Sequence, residues 1–229
     1  MSKQIKELAL FIADAHYPHH GDTFLTLLKN IESQNIKTPQ IFLMGDIFDL
    51  LFGYNEYIKS FSEEGIELLQ KLSKKIEIVY LEGNHDFCLQ EIFPNIKVYK
   101  REQQPIHYKL NHQDVYLSHG DKYETGFGYN LYSKLLRNKT LLTTLRPFEK
   151  QIINHRMGKL KVKKICGDFQ GFKKKFDAIR SHYPKDSLII EGHFHQALQH
   201  ENYISLPSLA CQGKVAVVRD GEIEFVRFV

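Results

Sequence analysis

The sequence predicts an α/β fold built on a parallel sheet, and three observations carry that prediction. Short apolar runs alternate with amphipathic helical stretches through the first 82 residues. Those runs end abruptly in polar residues, several of them directly behind a glycine. The chain then closes on two apolar stretches, Val215 to Arg219 and Ile223 to Val229, around Asp220-Gly221, the strongest short-range hairpin signal.

Taken in order, Leu8 to Ala13 is a buried strand that runs into Asp14-Ala15-His16. Pro18, Gly21 and Asp22 mark a loop, with Asp22 placed to cap a helix whose apolar face is Phe24, Leu27, Leu28 and Ile31. Pro39 opens a second strand that ends at Asp46. Tyr57 to Lys75 reads as one helix, weakened at Gly65. Ile76 to Leu81 is the third strand, and it runs into Gly83-Asn84-His85-Asp86. Such an alternation argues for parallel strands joined by right-handed crossovers. Past Pro94 come short strands at Ile96 to Tyr99, Ile106 to Leu110 and Asp114 to Ser118, the last ending in His119-Gly120-Asp121. Helices are expected at Tyr129 to Arg137, Leu141 to His155 (interrupted by Pro147) and Phe169 to His182. Ser187 to Glu191 is a further buried strand, ending in Gly192-His193-Phe194-His195.

Composition bounds what such a chain can do. With 229 residues, 42% of them hydrophobic and 25% charged, it can bury an ordinary core. No apolar run approaches the length of a membrane span. Met1 to Lys6 lacks the layout of a secretory signal, so a cytoplasmic location is expected. Cys88, Cys166 and Cys211 are odd in number and share no metal or disulfide spacing, which suits buried free thiols in a reducing compartment. The net charge of +4 conceals an asymmetry: residues 122–182 carry 15 Lys and Arg against 4 Asp and Glu, a net +11, and leave −7 for the rest. A helical subdomain with merely solvated faces is normally mixed in sign. A basic segment in an acidic body points to an anionic ligand.

The chemistry lies at the strand ends. Five of them carry polar clusters: Asp14-x-His16, Gly45-Asp46-x-x-Asp49, Gly83-Asn84-His85-Asp86, His119-Gly120-Asp121 and Gly192-His193-x-His195. Any one of these is an ordinary turn or cap. Together they place carboxylates, imidazoles and an amide, and no cysteine, on one edge of a sheet, where open α/β folds bind their ligands. Hard oxygen with borderline nitrogen suits Mn²⁺, Fe²⁺ or Zn²⁺ in an open site. Seven candidate ligands exceed the needs of one four-coordinate ion and suit two ions that share a carboxylate. In Asp14-x-His16 and His193-x-His195 an extended backbone would throw both side chains to one side. The glycines before Asp46, Asn84 and His193 would permit sharp turns and close approach of a substrate. His19 and His20 beside the first cluster read as loop residues.

In combination these motifs, spanning residues 14 to 195, resemble those of the calcineurin-like metallophosphoesterases. The resemblance implies a four-layer α/β/β/α sandwich, here a single domain over 1–229 with a basic helical lid inserted at about 122–182. It implies two divalent ions, Mn²⁺ first and Fe²⁺ or Zn²⁺ as alternatives. Asp14, His16, Asp46 and His195 would hold one; Asp46, Asn84, His119 and His193 would hold the other, with Asp46 bridging. His85 would stand beside the phosphate as general acid or charge stabiliser, with Asn84 next to it. Asp49 and Asp86 would orient ligands or the catalytic imidazole, and Asp121 would do the same or cap a turn.

In length, lid position and closing hairpin the chain is most similar to the UDP-2,3-diacylglucosamine pyrophosphohydrolases of lipid A synthesis. That resemblance implies a nucleotide-linked lipid substrate, UMP and 2,3-diacylglucosamine 1-phosphate as products, and peripheral contact with the cytoplasmic face of an inner membrane. Arg156-Met157 resembles a short basic stretch of that subfamily's cap, without a residue-by-residue alignment of the lid, and no lid residue is assigned to the substrate. One departure stands out: the subfamily's third motif reads Gly-Asn-Arg-Asp, and this chain has His85 in place of the arginine. A phosphatase or phosphodiesterase for nucleotides, nucleic acid or another lipid-linked phosphate is the alternative within the same chemistry. A metal-stabilised, partner-binding scaffold is the alternative outside it.

Overall fold

A computed structural model describes residues 3–123, 127–167 and 172–228. In chain order the elements begin with β1 (Leu10–Ile12), α1 (Thr23–Glu32), β2 (Gln40–Leu43), β3 (Leu51–Phe52), α2 (Glu56–Lys59), α3 (Glu63–Leu72), β4 (Glu77–Leu81) and β5 (Asp86–Phe87). They continue with β6 (Lys97–Tyr99), β7 (Ile106–Leu110), β8 (Gln113–Ser118), α4 (Phe127–Leu136), α5 (Lys139–Thr144), α6 (Glu149–Val162) and α7 (Phe172–Arg180). The last are β9 (Leu188–Glu191), β10 (Leu198–His200), β11 (Tyr203–Ser205), α8 (Leu209–Gln212), β12 (Lys214–Arg219) and β13 (Glu222–Arg227).

Two sheets stack face to face. The first runs β13-β12-β1-β2-β4-β6 and the second β10-β11-β9-β8-β7. β1, β2, β4 and β6 pair in parallel, as the alternation of runs and helices requires, and the closing hairpin adds antiparallel to β1. Period-two alternation divides the side chains of the first sheet between two cores. Leu10, Ile12, Ile41, Leu43, Ile78 and Tyr80 face α1 and α3. Phe11, Phe42, Met44, Val79 and Leu81 face Tyr108, Leu117 and Ile190 of the second sheet. On the outer face of that sheet, Ile189 and Tyr203 pack against Phe172, Phe176 and Ile179 of α7. Helices, sheet, sheet and helix make the four layers expected.

Several local expectations change. The helix read as Tyr57 to Lys75 is two helices, because Ser60 to Ser62 turn between α2 and α3. Gly65 is a packing site: a Cβ there would lie 2.9 Å from the Tyr17 ring. Asp22 precedes α1, but its side chain makes no capping hydrogen bond. α7, from the stretch read as Phe169 to His182, belongs to the fourth layer rather than to an overhanging lid; residues 169–171 of that stretch lie outside the described residues, as does Val229 of the hairpin. α4, α5 and α6 form the overhang, and Ile153 and Met157 of α6 anchor it in the first core. β10, β11 and α8 fall in a stretch whose sequence carries no clear run. The cysteine reading is overturned: Cys166 and Cys211 form a disulfide, and only Cys88 is free. No helix among the described residues is long and apolar enough to cross a membrane.

Candidate metal centre

The loops leaving β1 and β2 zip together before any side chain is considered. Asp14 N–H donates to the Gly45 carbonyl (3.2 Å), His16 N–H to Asp46 (3.1 Å), and Asp49 N–H returns to Tyr17 (2.9 Å). β3 and β5 then pair in parallel, Leu51 opposite Asp86, which fixes the Asp46–Asp49 loop against Gly83–Asp86.

Convergence of the ligands comes from left-handed turns, not from extended backbone. Asp14, His16, Asp46, His193 and His195 all have positive φ, between 44° and 64°. Such values cost an L-residue on the order of 1 kcal/mol each and concentrate at functional sites. The glycines admit ligands rather than substrate. A Cβ on Gly45 (φ 86°) would come 2.4 Å from His119 Nδ1, and one on Gly83 2.3 Å from Asp46 Oδ1.

Two clusters result, each with its ligand atoms within 4.8 Å of one another: Asp14, His16 and His195, and Asp46, His119 and His193. In the second, His119 donates from Nδ1 to the Met44 carbonyl (2.9 Å), because a carbonyl can only accept. Nε2 is thereby turned toward Asp46 Oδ2 at 3.6 Å and Asn84 Oδ1 at 3.3 Å, where a metal ligand would present its lone pair. Three lone-pair atoms converging on one point fit a cation. In the first cluster His195 Nε2 lies 3.1 Å from Asp14 Oδ1, and buried His16 Nδ1 has no hydrogen-bond partner. The residues present therefore fit a divalent ion in each cluster.

Charge is arranged to match. Burial works against the Asp46 carboxylate, but His119, His85, His16 and His193 outweigh it and hold Asp46 well below the usual carboxylate range. Burial pulls the His16 imidazole down to about 4 against the attraction of Asp46, so it is neutral near pH 7, as a ligand must be.

The supporting residues have specific jobs. Asp86 is the hub of the backbone: it accepts from the N–H groups of Asp46 (3.0 Å), Ile47 (2.7 Å), Phe48 (3.4 Å) and Gly83 (2.9 Å), and from Tyr80 Oη (2.6 Å). It holds the loop that presents Asp46 and orients no imidazole. Asp49 does face imidazoles. Its Oδ1 lies 2.6 Å from His20 Nδ1 and 3.8 Å from His16 Nδ1, and its Oδ2 takes His19 N–H at 2.7 Å. Neither cluster contains His19 or His20, but both clamp the carboxylate beside a ligand, a role sequence reading gave to neither. The only hint was their adjacency to Asp14-x-His16. Asp121 forms a buried ion pair with Arg101 (2.6 Å) and belongs to neither cluster. His85 N–H donates to Asp46 Oδ1 (2.8 Å), and its Nδ1 donates to the Asp49 carbonyl (2.7 Å), which leaves Nε2 for the cavity that it lines.

That cavity, about 480 Å³, lies over the clusters and is closed on one side by residues 163–167. Past Asn84 and His85 it adjoins one of about 370 Å³ edged by Arg137, Arg156, Lys159 and Lys163. Past Leu136 and Arg156 a third follows, about 290 Å³, walled by Leu50, Phe52, Phe87, Leu142 and Leu145.

The family model for "calcineurin-like phosphoesterase" matches residues 9–197. The chain belongs to that family. Among curated proteins it is similar to three named UDP-2,3-diacylglucosamine hydrolase. The one from Shewanella piezotolerans is 31% identical over 37% of this chain and 35% of its own length. The one from Histophilus somni is 28% identical over 57% of each chain, and that from Stutzerimonas stutzeri 28% over 61% of this chain and 59% of its own. The chain thus spans about half the length of the curated relatives it matches. Solved structures are more distant. The E. coli phosphoesterase Yfce is 12% identical, with a TM-score of 0.45 over 96% of this chain and 99% of its own. A dimetal phosphatase from Danio rerio is 11% identical, with a TM-score of 0.45 over 97% and 99%. Family membership and two ligand clusters, each fit for a divalent ion, are what the fold and the site establish together.

Proposed function

We propose that this phosphoesterase hydrolyses the pyrophosphate bond of a nucleotide-linked lipid, UDP-2,3-diacylglucosamine, to UMP and 2,3-diacylglucosamine 1-phosphate. The observation that carries the reading is the succession of cavities: ligand clusters, then a basic chamber, then an apolar one. A substrate with a phosphoanhydride between a nucleotide and two acyl chains has its parts in that order. A nucleic acid would use the basic chamber and leave the apolar one without a role.

The proposed ligands are Asp14, His16, Asp46 and His195 on one side and Asp46, Asn84, His119 and His193 on the other. Divalent ions bound there, Mn²⁺ by expectation, would supply Lewis-acid chemistry toward the phosphoryl oxygens and water. The chain's own residues do the rest. His85, fixed through Nδ1, holds Nε2 toward the reacting group, where as imidazolium it gives a proton to the leaving oxygen. Arg156 and Lys159 of α6 meet the second phosphoryl group from the lid side. The apolar walls exclude water from the acyl chains.

Purified protein with Mn²⁺ is expected to release UMP from UDP-2,3-diacylglucosamine, and the Asp46→Asn variant to do so about 10³-fold more slowly. Free cleavage of a bis-aryl phosphate with the UDP-lipid left intact defeats the lipid assignment and keeps the phosphoesterase. Oligonucleotide cleavage that weakens steeply with salt supports a nuclease instead.

A further inference from the structure

Residues 163–167 leave α6 and form one wall of the cavity over the ligand clusters, opposite His16, His85 and His195. Two points hold this strap. At its start His20, already engaged to Asp49, hydrogen-bonds through Nε2 to the Lys163 carbonyl (3.1 Å). Near its end Cys166 is bonded to Cys211, 45 residues further along, with the two Cα atoms 5.4 Å apart.

The two cysteines sit on unlike supports. Cys211 belongs to α8, which buttresses the metal centre: Gln212 Nε2 donates to the His195 carbonyl (2.9 Å), and Cys211 Sγ lies 3.9 Å from His195 Nδ1. Ser208 caps α8 and also donates to the Asp14 carbonyl (2.8 Å). Cys166 sits on the strap, which carries no helix or strand from Lys163 to Gly167, and it is exposed. A small thiol can therefore reach the bond from solvent. The third cysteine does not compete. Cys88 is half-buried, donates to the Arg137 carbonyl (3.5 Å), and burial pushes its thiol up to about 12.

We propose that Cys166–Cys211 is a redox latch: oxidised, it pins the strap across the metal cleft, and reduced, it frees the strap to admit a bulky substrate. Opening is thiol–disulfide exchange. A thiolate of an external dithiol attacks exposed Cys166 Sγ, and Cys211 leaves as thiolate and takes up a proton. The dithiol's second thiolate then releases Cys166, which is protonated in turn. The external pair is oxidised to a disulfide by two electrons, and the protein disulfide is reduced to two thiols. Closing is the reverse exchange with a low-molecular-weight disulfide. The latch rests on the metal cleft and not on the identity of the lipid.

The test uses the full chain, equilibrated with oxidised glutathione or with dithiothreitol, a dithiol, then desalted and given Mn²⁺. Non-reducing peptide mapping is expected to find the 166–211 link in the oxidised sample only. Trypsin should cut at Lys163 and Lys164 about ten-fold more slowly in that sample, because a tethered segment opens less often. The kcat/KM for UDP-2,3-diacylglucosamine should fall by about ten-fold on oxidation, while that for a small bis-aryl phosphate stays within about two-fold. Cys166→Ser should match the reduced wild type in both buffers, and Cys88→Ser should switch as wild type does. Absence of the link after oxidation, equal tryptic rates in linked and unlinked protein, or an equal redox response in Cys166→Ser overturns the latch. Should the UDP-lipid be inert in both states, the substrate reading fails, and the tryptic rates still decide the latch.

Discussion

The strand-end cluster and the lid obey opposite rules. At the strand ends polar side chains are buried and spoken for: Asp14, Asp46, Asp49, Asp86 and His119 are at most 3% exposed, and backbone bonds from distant loops hold them. On the lid apolar side chains stand in solvent: Leu131, Leu135 and Phe148 are 50%, 51% and 58% exposed. Buried polar groups without partners are costly, so the cluster survives only because the fold over-determines it. Exposed leucines beside Lys and Arg contribute little to the core. The ligand clusters are thus built into the core of the fold, while the helices beside them are attached to it through Ile153 and Met157.

Substitutions at the two regions should separate cleanly. Asp46→Asn is expected to lower turnover of every phosphoester by about 10³-fold, since it removes the carboxylate of the cluster with His119 and His193; steady-state kinetics on large and small substrates checks this, and a loss confined to the lipid would put Asp46 outside the chemistry. Asp86→Asn puts amide hydrogens among five donors and should cost on the order of 3 kcal/mol of stability, read by urea denaturation. The pair Leu142→Ser and Leu145→Ser should raise KM for the UDP-lipid about ten-fold, leave the small substrate alone, and move stability by no more than about 0.5 kcal/mol. A large loss of stability there would make the lid part of the core.

A pH-dependent effect concerns Glu82, beside Arg137 at the end of α4. Burial raises its carboxyl to about 7, against a hydrogen bond from Leu89 N–H and the charge of Arg137 on the lid. A carboxyl raised in the folded state is tolerated while protonated, so its stabilising share is complete below the unfolded value near 4.5 and is lost as pH climbs through 7. Glu82→Gln should therefore match wild type at acid pH and exceed it by up to about 3 kcal/mol at pH 8. Thermal melts across that range measure it. A gain that is the same at both pH values would mean that Glu82 is not ionising in the fold.

Much of this was legible from residues alone. The five polar strand ends, the parallel order of the first sheet and the Asp220-Gly221 hairpin follow from apolar period and glycine placement, which are local properties. The pairings were not legible. Nothing in Cys166 and Cys211 marks them as partners, since the spacing between bonded cysteines is set by the route of the chain and not by a motif. His19 and His20 look like any loop pair until Asp49 is brought between them from 29 residues away. α7 has the composition of the lid, yet Phe172, Phe176 and Ile179 send it to the far sheet.

By itself the sequence determined which ligand types the chain offers and which strands deliver them, because both are written residue by residue. Tertiary structure alone decided how those ligands meet, through left-handed turns rather than extended strand ends, and what lies above them. Convergence, cavity order and the strap over the cleft depend on contacts between residues far apart in the chain, which no window of sequence contains.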